Sequence, residues 1–298
     1  MKIRFSVGCL IGMAINLSSP CFIQAEEYLY SIGFGLEFSS GRYGGEIRTD
    51  SVYAPLTVTV SPTDRLGFSL EVPLVYQSNG NVVSAIAKGD LRGSRTMMRP
   101  APGAGGMPGS GSGTGAMAGP GGGGSGHGSG ISSSTGQPEK GLGDITLKLG
   151  YLLLPERFSS PQLRTTVFVK FPTADEDRYL GTGEFDEGVA VEVSRWFGDW
   201  NPFAEAGYVL QGRSERFALK NYLAYNAGFG YQVSGNFRPL LLVKGGTSPA
   251  EGVGGLLEAR VKLKYQTTRS IGMEGYLAKG LTTDSPDYGA GVTVYHDF

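Results

Sequence analysis

Cysteine is almost missing from this chain. Cys9 and Cys21 are the only two, and both fall within the first 25 residues. A protein released after that segment keeps no thiol for a disulfide, a metal or a nucleophile. Histidine is equally scarce, with His127 and His296 alone, which leaves little for the fixed imidazole base of most hydrolytic sites. Neither charge is in excess, since Lys+Arg at 26 nearly cancels Asp+Glu at 27. That balance excludes a basic nucleic-acid binder and an acidic solvating chain. Beyond the N-terminus no uncharged apolar run reaches the ~18 residues of a membrane helix, and mean hydropathy is only -0.10. Glycine, by contrast, is plentiful at 49 residues, joined by 15 Tyr and 15 Phe. No strict glycine triplet runs through the chain, so collagen is excluded, and the combination points to turns and β-strands.

Residues 1–25 read as a secretory signal peptide. Lys2 and Arg4 form the charged start, Phe5 to Leu17 the short apolar stretch, and Ile23-Gln24-Ala25 the small-residue cut before Glu26-Glu27.

Past residue 27 the dominant signal is a period of two, the mark of a strand with two unlike faces. Phe34 and Leu36 alternate with Gly35 and Glu37, Val52 to Val60 with Tyr53 to Thr59, and Leu66 to Leu74 with Gly67 to Pro73. Further apolar rows start at Ile145, Leu163, Val189, Ala204, Leu223, Leu241, Leu257, Ile271 and Tyr288. These rows, about twelve strands, hold no Asp, Glu, Lys or Arg, and the opposite parity collects those residues.

A soluble sandwich would turn the apolar rows inward, whereas an outer-membrane barrel turns them to lipid. Three features favour the barrel. Aromatics mark strand ends at Tyr28, Tyr30, Tyr76, Phe171, Tyr231, Tyr265 and Tyr288, as an interfacial girdle requires. Connections alternate between short (62–65, 197–201, 232–236, 266–269) and long (38–50, 77–142, 172–188, 212–221, 246–254, 280–287). The chain also ends on Phe298 behind a period-two row, like the closing strand of bacterial outer-membrane barrels. The expected fold is therefore all-β, a closed antiparallel transmembrane β-barrel over 26–298, whose first strand (28–37) pairs with its last (288–298).

Residues 93–138 interrupt the second long loop. Their Gly, Ser, Ala and Pro bury too little apolar area to offset ordering entropy. This insert reads as a disordered outer loop, either a tolerated insertion or a surface tether. It contains His127, while His296 falls in the closing row. No catalytic residues, cofactor or metal are assigned. The acidic loop Asp175-Glu176-Asp177 departs from a calcium loop, with Leu180 at the turn position and Tyr179 in place of an oxygen ligand. It reads as solvated, or bridged through cations to lipopolysaccharide. What remains is the lumen. Lys148, Arg164, Lys170, Glu192, Glu205, Lys244, Glu258, Arg260 and Lys262 are the candidates for a polar solute path, or for an internal ion-pair network that fills the barrel. Phe168, Trp196, Leu240 and Leu242 are apolar lumen candidates. Pro55 and Pro73, lacking ladder donors, mark a kink or lateral gap.

Gly141-Leu142-Gly143-Asp144 opening a strand, Lys170-Phe171-Pro172-Thr173 closing the next, Leu180-Gly181-Thr182-Gly183 in the loop and Ala206-Gly207-Tyr208 beyond resemble one bacterial family over roughly 140–298. That is the outer-membrane family named for the MetA pathway of phenol degradation. The first three strands match it only in style, and the insert is foreign to its pattern. The resemblance implies a barrel that admits aromatic hydrocarbons and supplies no catalytic residue to transfer. The expected protein is thus a passive outer-membrane channel for small, hydrophobic or aromatic molecules. Its partners would be membrane lipid, lipopolysaccharide, the solute, and the barrel-assembly machinery through the strand ending at Phe298. The rival is a structural or adhesive surface barrel working through its loops.

Overall fold

A computed structural model describes residues 29–43, 47–79 and 136–298. The signal segment 1–25, Tyr28, His127 and the insert up to residue 135 lie outside the described residues. The strands are β1 (Tyr30–Gly41), β2 (Thr49–Thr63), β3 (Leu66–Gln77), β4 (Glu139–Leu142), β5 (Ile145–Leu154), β6 (Gln162–Phe171) and β7 (Asp186–Ser194), then β8 (Trp200–Leu210), β9 (Tyr222–Tyr231), β10 (Phe237–Gly246), β11 (Leu256–Gln266), β12 (Ile271–Gly280) and β13 (Tyr288–Asp297). All pairings are antiparallel. β4 and β5 both pair with β3, so they share one stave and the 13-stranded sheet has twelve positions around its ring. β1 pairs with β2 on one side and with β13 on the other, with Ile32 opposite His296 and Ser40 opposite Tyr288. The ring is closed. In hydrocarbon every unpaired backbone group costs several kcal/mol, roughly speaking, so closure is what lets such a sheet face lipid at all.

The side chains sort by parity. Phe34, Leu36, Val191, Val261, Leu263 and Leu277 point outward and are 44–68% exposed, whereas Lys148, Glu258 and Lys264 on the opposite parity are at most 3% exposed. A sandwich would reverse that order, so the soluble alternative does not describe this sheet. Tyr30, Tyr76, Tyr231, Tyr265 and Tyr288 all stand on the outer surface near strand ends. Trp200 stacks beside Tyr231 at 4.8 Å and Phe229 at 5.6 Å, which completes an amphipathic belt at the short-turn end. Connections at that end span 64–65, 155–161, 195–199, 232–236 and 267–270; the opposite end carries the long ones.

Two elements differ from the sequence reading. β1 and β2 run on to Gly41 and from Thr49, where a loop over 38–50 is expected. Here Ser39 pairs with Ser51 and Ser40 with Asp50. Above the bilayer both faces of a hairpin turn polar, so the alternation that reveals a strand stops before the hydrogen bonding does. The other difference is β4, which lies inside the expected loop 77–142. It has only four residues, and the outward parity slips across Gly143-Asp144, from Leu142 to Ile145. That slip is a bulge. Glycines serve the inner face as seats for rings. A Cβ on Gly272 would lie within 2.2–2.3 Å of the Tyr295 ring, and one on Gly188 within 2.2 Å of Phe168. Each of these glycines is the direct cross-strand partner of its ring.

Candidate functional site: the charged lumen and its mouth

The inward parity of six neighbouring strands places one row of polar side chains across the wall. Arg164 of β6 faces Glu192 of β7, which faces Glu205 of β8, then Asn226 of β9, Lys244 of β10 and Glu258 of β11. All six are buried. Beside this row Lys148 Nζ lies 3.2 Å from Glu71 Oε2, and the Tyr53 hydroxyl donates to Glu71 Oε1 at 2.5 Å. Arg260 donates to Glu258 Oε2 through Nε at 3.0 Å and Nη2 at 2.9 Å. Its guanidinium also covers the Tyr276 ring at 4.6 Å, and Tyr276 donates to Glu37 at 2.8 Å. Lys262 and Lys264 share Glu274 at 2.7 and 3.0 Å. Removed from water, such charges persist only in company, and both signs are present along the wall.

The nine residues predicted for the path all lie on the inward parity, and Lys170 alone of them sits at the mouth. Phe168, Leu240 and Leu242 also face inward. Phe168 packs with Tyr222 against Ala190, Val209 and Ala224 to make an apolar strip high on the wall. Trp196 lies in a turn, under the Arg238 guanidinium at 5.4 Å. Sequence reasoning missed Arg238, because Leu240, Leu241 and Leu242 blur the parity around it. His296 stands on the outward parity with its ring 4.3 Å from Phe298.

At the mouth three of the four segments that carry the family resemblance meet. Lys170 Nζ reaches Asp186 Oδ2 at 2.6 Å and Asp144 Oδ2 at 3.1 Å, and donates to Thr182 Oγ1 at 2.9 Å. Thr173 Oγ1 donates to the Gly143 carbonyl and accepts from Ile145 N–H, each at 2.9 Å. Ala174 N–H donates to Asp144 Oδ1 at 3.0 Å. These bonds turn the β6–β7 loop (172–185) inward, and Leu180, only 2% exposed, packs with Ala174 against the inward-facing Tyr53 and Val75. Tyr179 takes φ 58 and Gly183 φ 72 to make the turn. From sequence, Asp144 and Thr182 are only letters of a motif, and Leu180 is that and the residue that spoils a calcium loop. Their joint role appears once β4, β6 and the loop converge.

The remaining long loops interlock above. Lys220 N–H donates to the Pro249 carbonyl and Glu251 N–H to that of Ala218, at 2.8 and 2.9 Å. Arg216 lies over the Tyr179 ring at 4.6 Å and binds Asp177 at 3.0 Å. Thus Asp177 of the acidic loop is engaged by Arg216, and Asp186 at the start of β7 by Lys170. Tyr43, fully buried in the β1–β2 connection, hydrogen-bonds Ser39 at 3.0 Å, and burial pushes its phenol well above the ordinary range. No group of three or more metal-ligating side chains occurs among the described residues.

Pro55 and Pro73 are directly opposed in the β2–β3 pair. The β1–β2 register is interrupted between Phe34–Leu56 and Glu37–Tyr53. β3 passes from β5 at Glu71 to β4 at Leu74. The two rings therefore weaken the ladder on both outer edges of one hairpin, since neither proline has an N–H to give.

An outer-membrane channel from Pseudomonas putida F1 has this architecture, with a TM-score of 0.60, 13% identity, and coverage of 95% of this chain and 100% of that one. The KdgM porin in complex with disordered oligogalacturonate gives 0.48 at 9% identity, covering 90% and 99%. The toluene transporter TodX of P. putida gives 0.39 at 11%, covering 92% and 91%. At 13% identity the likeness to the first of these is one of fold. No curated protein matches the chain. A family model matches residues 113–298, which takes in the end of the glycine-rich insert as well as the barrel that follows it. With more than half its length matched, the chain belongs to the family described as "Putative MetA-pathway of phenol degradation".

Proposed function

We propose that this protein is a passive outer-membrane channel for small molecules, with hydrophobic or aromatic compounds as its solute class. One observation carries the reading: the barrel is apolar outside and lined inside by a ladder of ionisable side chains from Arg164 to Glu258. A wall of that kind costs stability unless polar groups or water occupy the lumen. The strip of Phe168, Ala190, Val209 and Ala224 above it supports an apolar solute that enters from the loop side. Lys148, Arg164, Lys170, Glu192, Glu205, Lys244, Glu258, Arg260 and Lys262 line the path. Transport runs down a gradient, with lumen charge setting selectivity. The chain meets lipid through its aromatic belt, lipopolysaccharide through its loops, and the assembly machinery through the strand ending at Phe298.

Planar-bilayer conductance of the refolded protein, paired with swelling of liposomes in candidate solutes, tests the reading. Conductance or solute-dependent swelling is expected. A protein that inserts yet passes neither ions nor any solute refutes it. The rival, a surface barrel that works through its loops, separates on deletion of residues 93–138: lost adhesion with unchanged flux favours the rival.

A further inference from the structure

We propose that the β6–β7 loop is a displaceable stopper seated in the outer mouth, with Leu180 as its plug and Lys170 as the post that holds it. The inference rests on the channel reading and adds its gate. Leu180 belongs to a loop outside the bilayer, yet it is 2% exposed, and its contacts Tyr53 and Val75 face the lumen from β2 and β3. The seat is shaped for it. Gly141 of β4 leaves the room: a Cβ there would come within 2.7 Å of Leu180 Cδ1. Gly181 lies so close to the wall that a Cβ would meet Ala174 at 2.6 Å and both Asp144 carboxylate oxygens at 2.7 Å.

The fastening is polar and concentrated. Lys170, Asp144 and Asp186 belong to the barrel wall and bind one another at 2.6 and 3.1 Å. From this post the loop hangs by Thr182 Oγ1 at 2.9 Å and Ala174 N–H at 3.0 Å, with Arg178 to Glu139 of β4 at 2.9 Å. Each bond has a water-satisfied equivalent once the loop lifts, because the mouth opens on solvent. The buried apolar contacts of the loop are Leu180 and Ala174 on the wall, and Tyr179 against Phe217, Ala250 and Val253 of the neighbouring loops. Pro172 and the left-handed Gly183 bracket the segment, so a lifted loop leaves the strand ladders of β6 and β7 intact. Each of the ties at Thr182, Ala174 and Arg178 has a side chain on at least one side, whereas the neighbouring 211–221 and 247–255 loops are joined backbone to backbone.

The test uses the cysteine-free chain left after residue 25. Leu180→Cys with Gly141→Cys is joined by a short thiol cross-linker that is reductively cleavable. Leu180→Ser with Thr182→Val loosens the seat without touching the wall. Barrel integrity is read by heat-modifiable mobility in gels. Single-channel records are expected to show the loosened variant open at least several-fold longer than the parent, and the cross-linked form closed until reductant restores parental behaviour. Conductance that ignores both the cross-link and the loosening overturns the stopper while leaving the channel. Silence of every variant in bilayers and in swelling assays overturns the channel reading itself.

Discussion

Val261, half-exposed on the outward parity of β11, and Lys262, buried beside it, show what one residue position decides in this wall. Replacing Val261 with Arg puts a charge into the hydrocarbon at mid-strand. The expected cost is about 2–4 kcal/mol, measurable as a shift in urea unfolding within lipid vesicles. On the inner side the logic inverts. Lys148→Met removes the partner of Glu71 and is expected to cost ~3–5 kcal/mol. Adding Glu71→Gln should recover much of that loss, because the penalty lies in an uncompensated buried charge; the comparison of single and double variants checks it. At this scale the sequence is highly readable, since a period of two assigns each side chain to lipid or lumen. It failed at Arg238 and Asp144 for identifiable reasons. Three consecutive leucines erase the alternation near the first, and a bulge resets it at the second.

Among the elements, β2 and β3 form the irregular part of the ring, with Pro55 against Pro73 and interrupted ladders on both flanks. If this hairpin provides a sideways exit for apolar solutes, Pro55→Ala with Pro73→Ala should slow uptake of a hydrophobic solute severalfold while leaving ionic conductance unchanged. Equal uptake by parent and double variant counts against the exit. β13 is the opposite case, a regular strand that closes the ring. Removing residues 288–298 frees the facing edges of β12 and β1. No heat-modifiable, membrane-inserted form is then expected, because two open edges cannot face lipid. The existence of every strand but the four-residue β4 was legible. Strand ends were less so, since β1 and β2 extend where hydrogen bonding outlasts the amphipathic signal, as Ser40 opposite Asp50 illustrates.

For the whole molecule, closure itself could be inferred before any coordinates, because physics forbids the open form in a bilayer. The cap could not. Its contacts join Lys170 to Thr182, Arg216 to Tyr179 and Lys220 to Pro249, and such pairings between loops leave no periodic trace. The family match covers residues 113–298 and so leaves out β1, β2 and β3, which complete the ring; selectivity is a property to be measured on the intact barrel. Deleting residues 93–138, whose Gly-, Ser- and Pro-rich sequence offers little apolar area to bury, is expected to leave solute flux within about twofold of the parent; swelling assays on both proteins check this.

The seam between β1 and β13 has a kinetic consequence. Ile32 and His296 are cross-strand partners although nearly the entire polypeptide separates them. The first strand therefore leaves the ribosome with one of its two mates still untranslated, and pairings so remote in sequence form slowly. Refolding into detergent is therefore expected to be slower than for barrels with fewer staves, with the heat-modifiable form appearing only as this last seam closes.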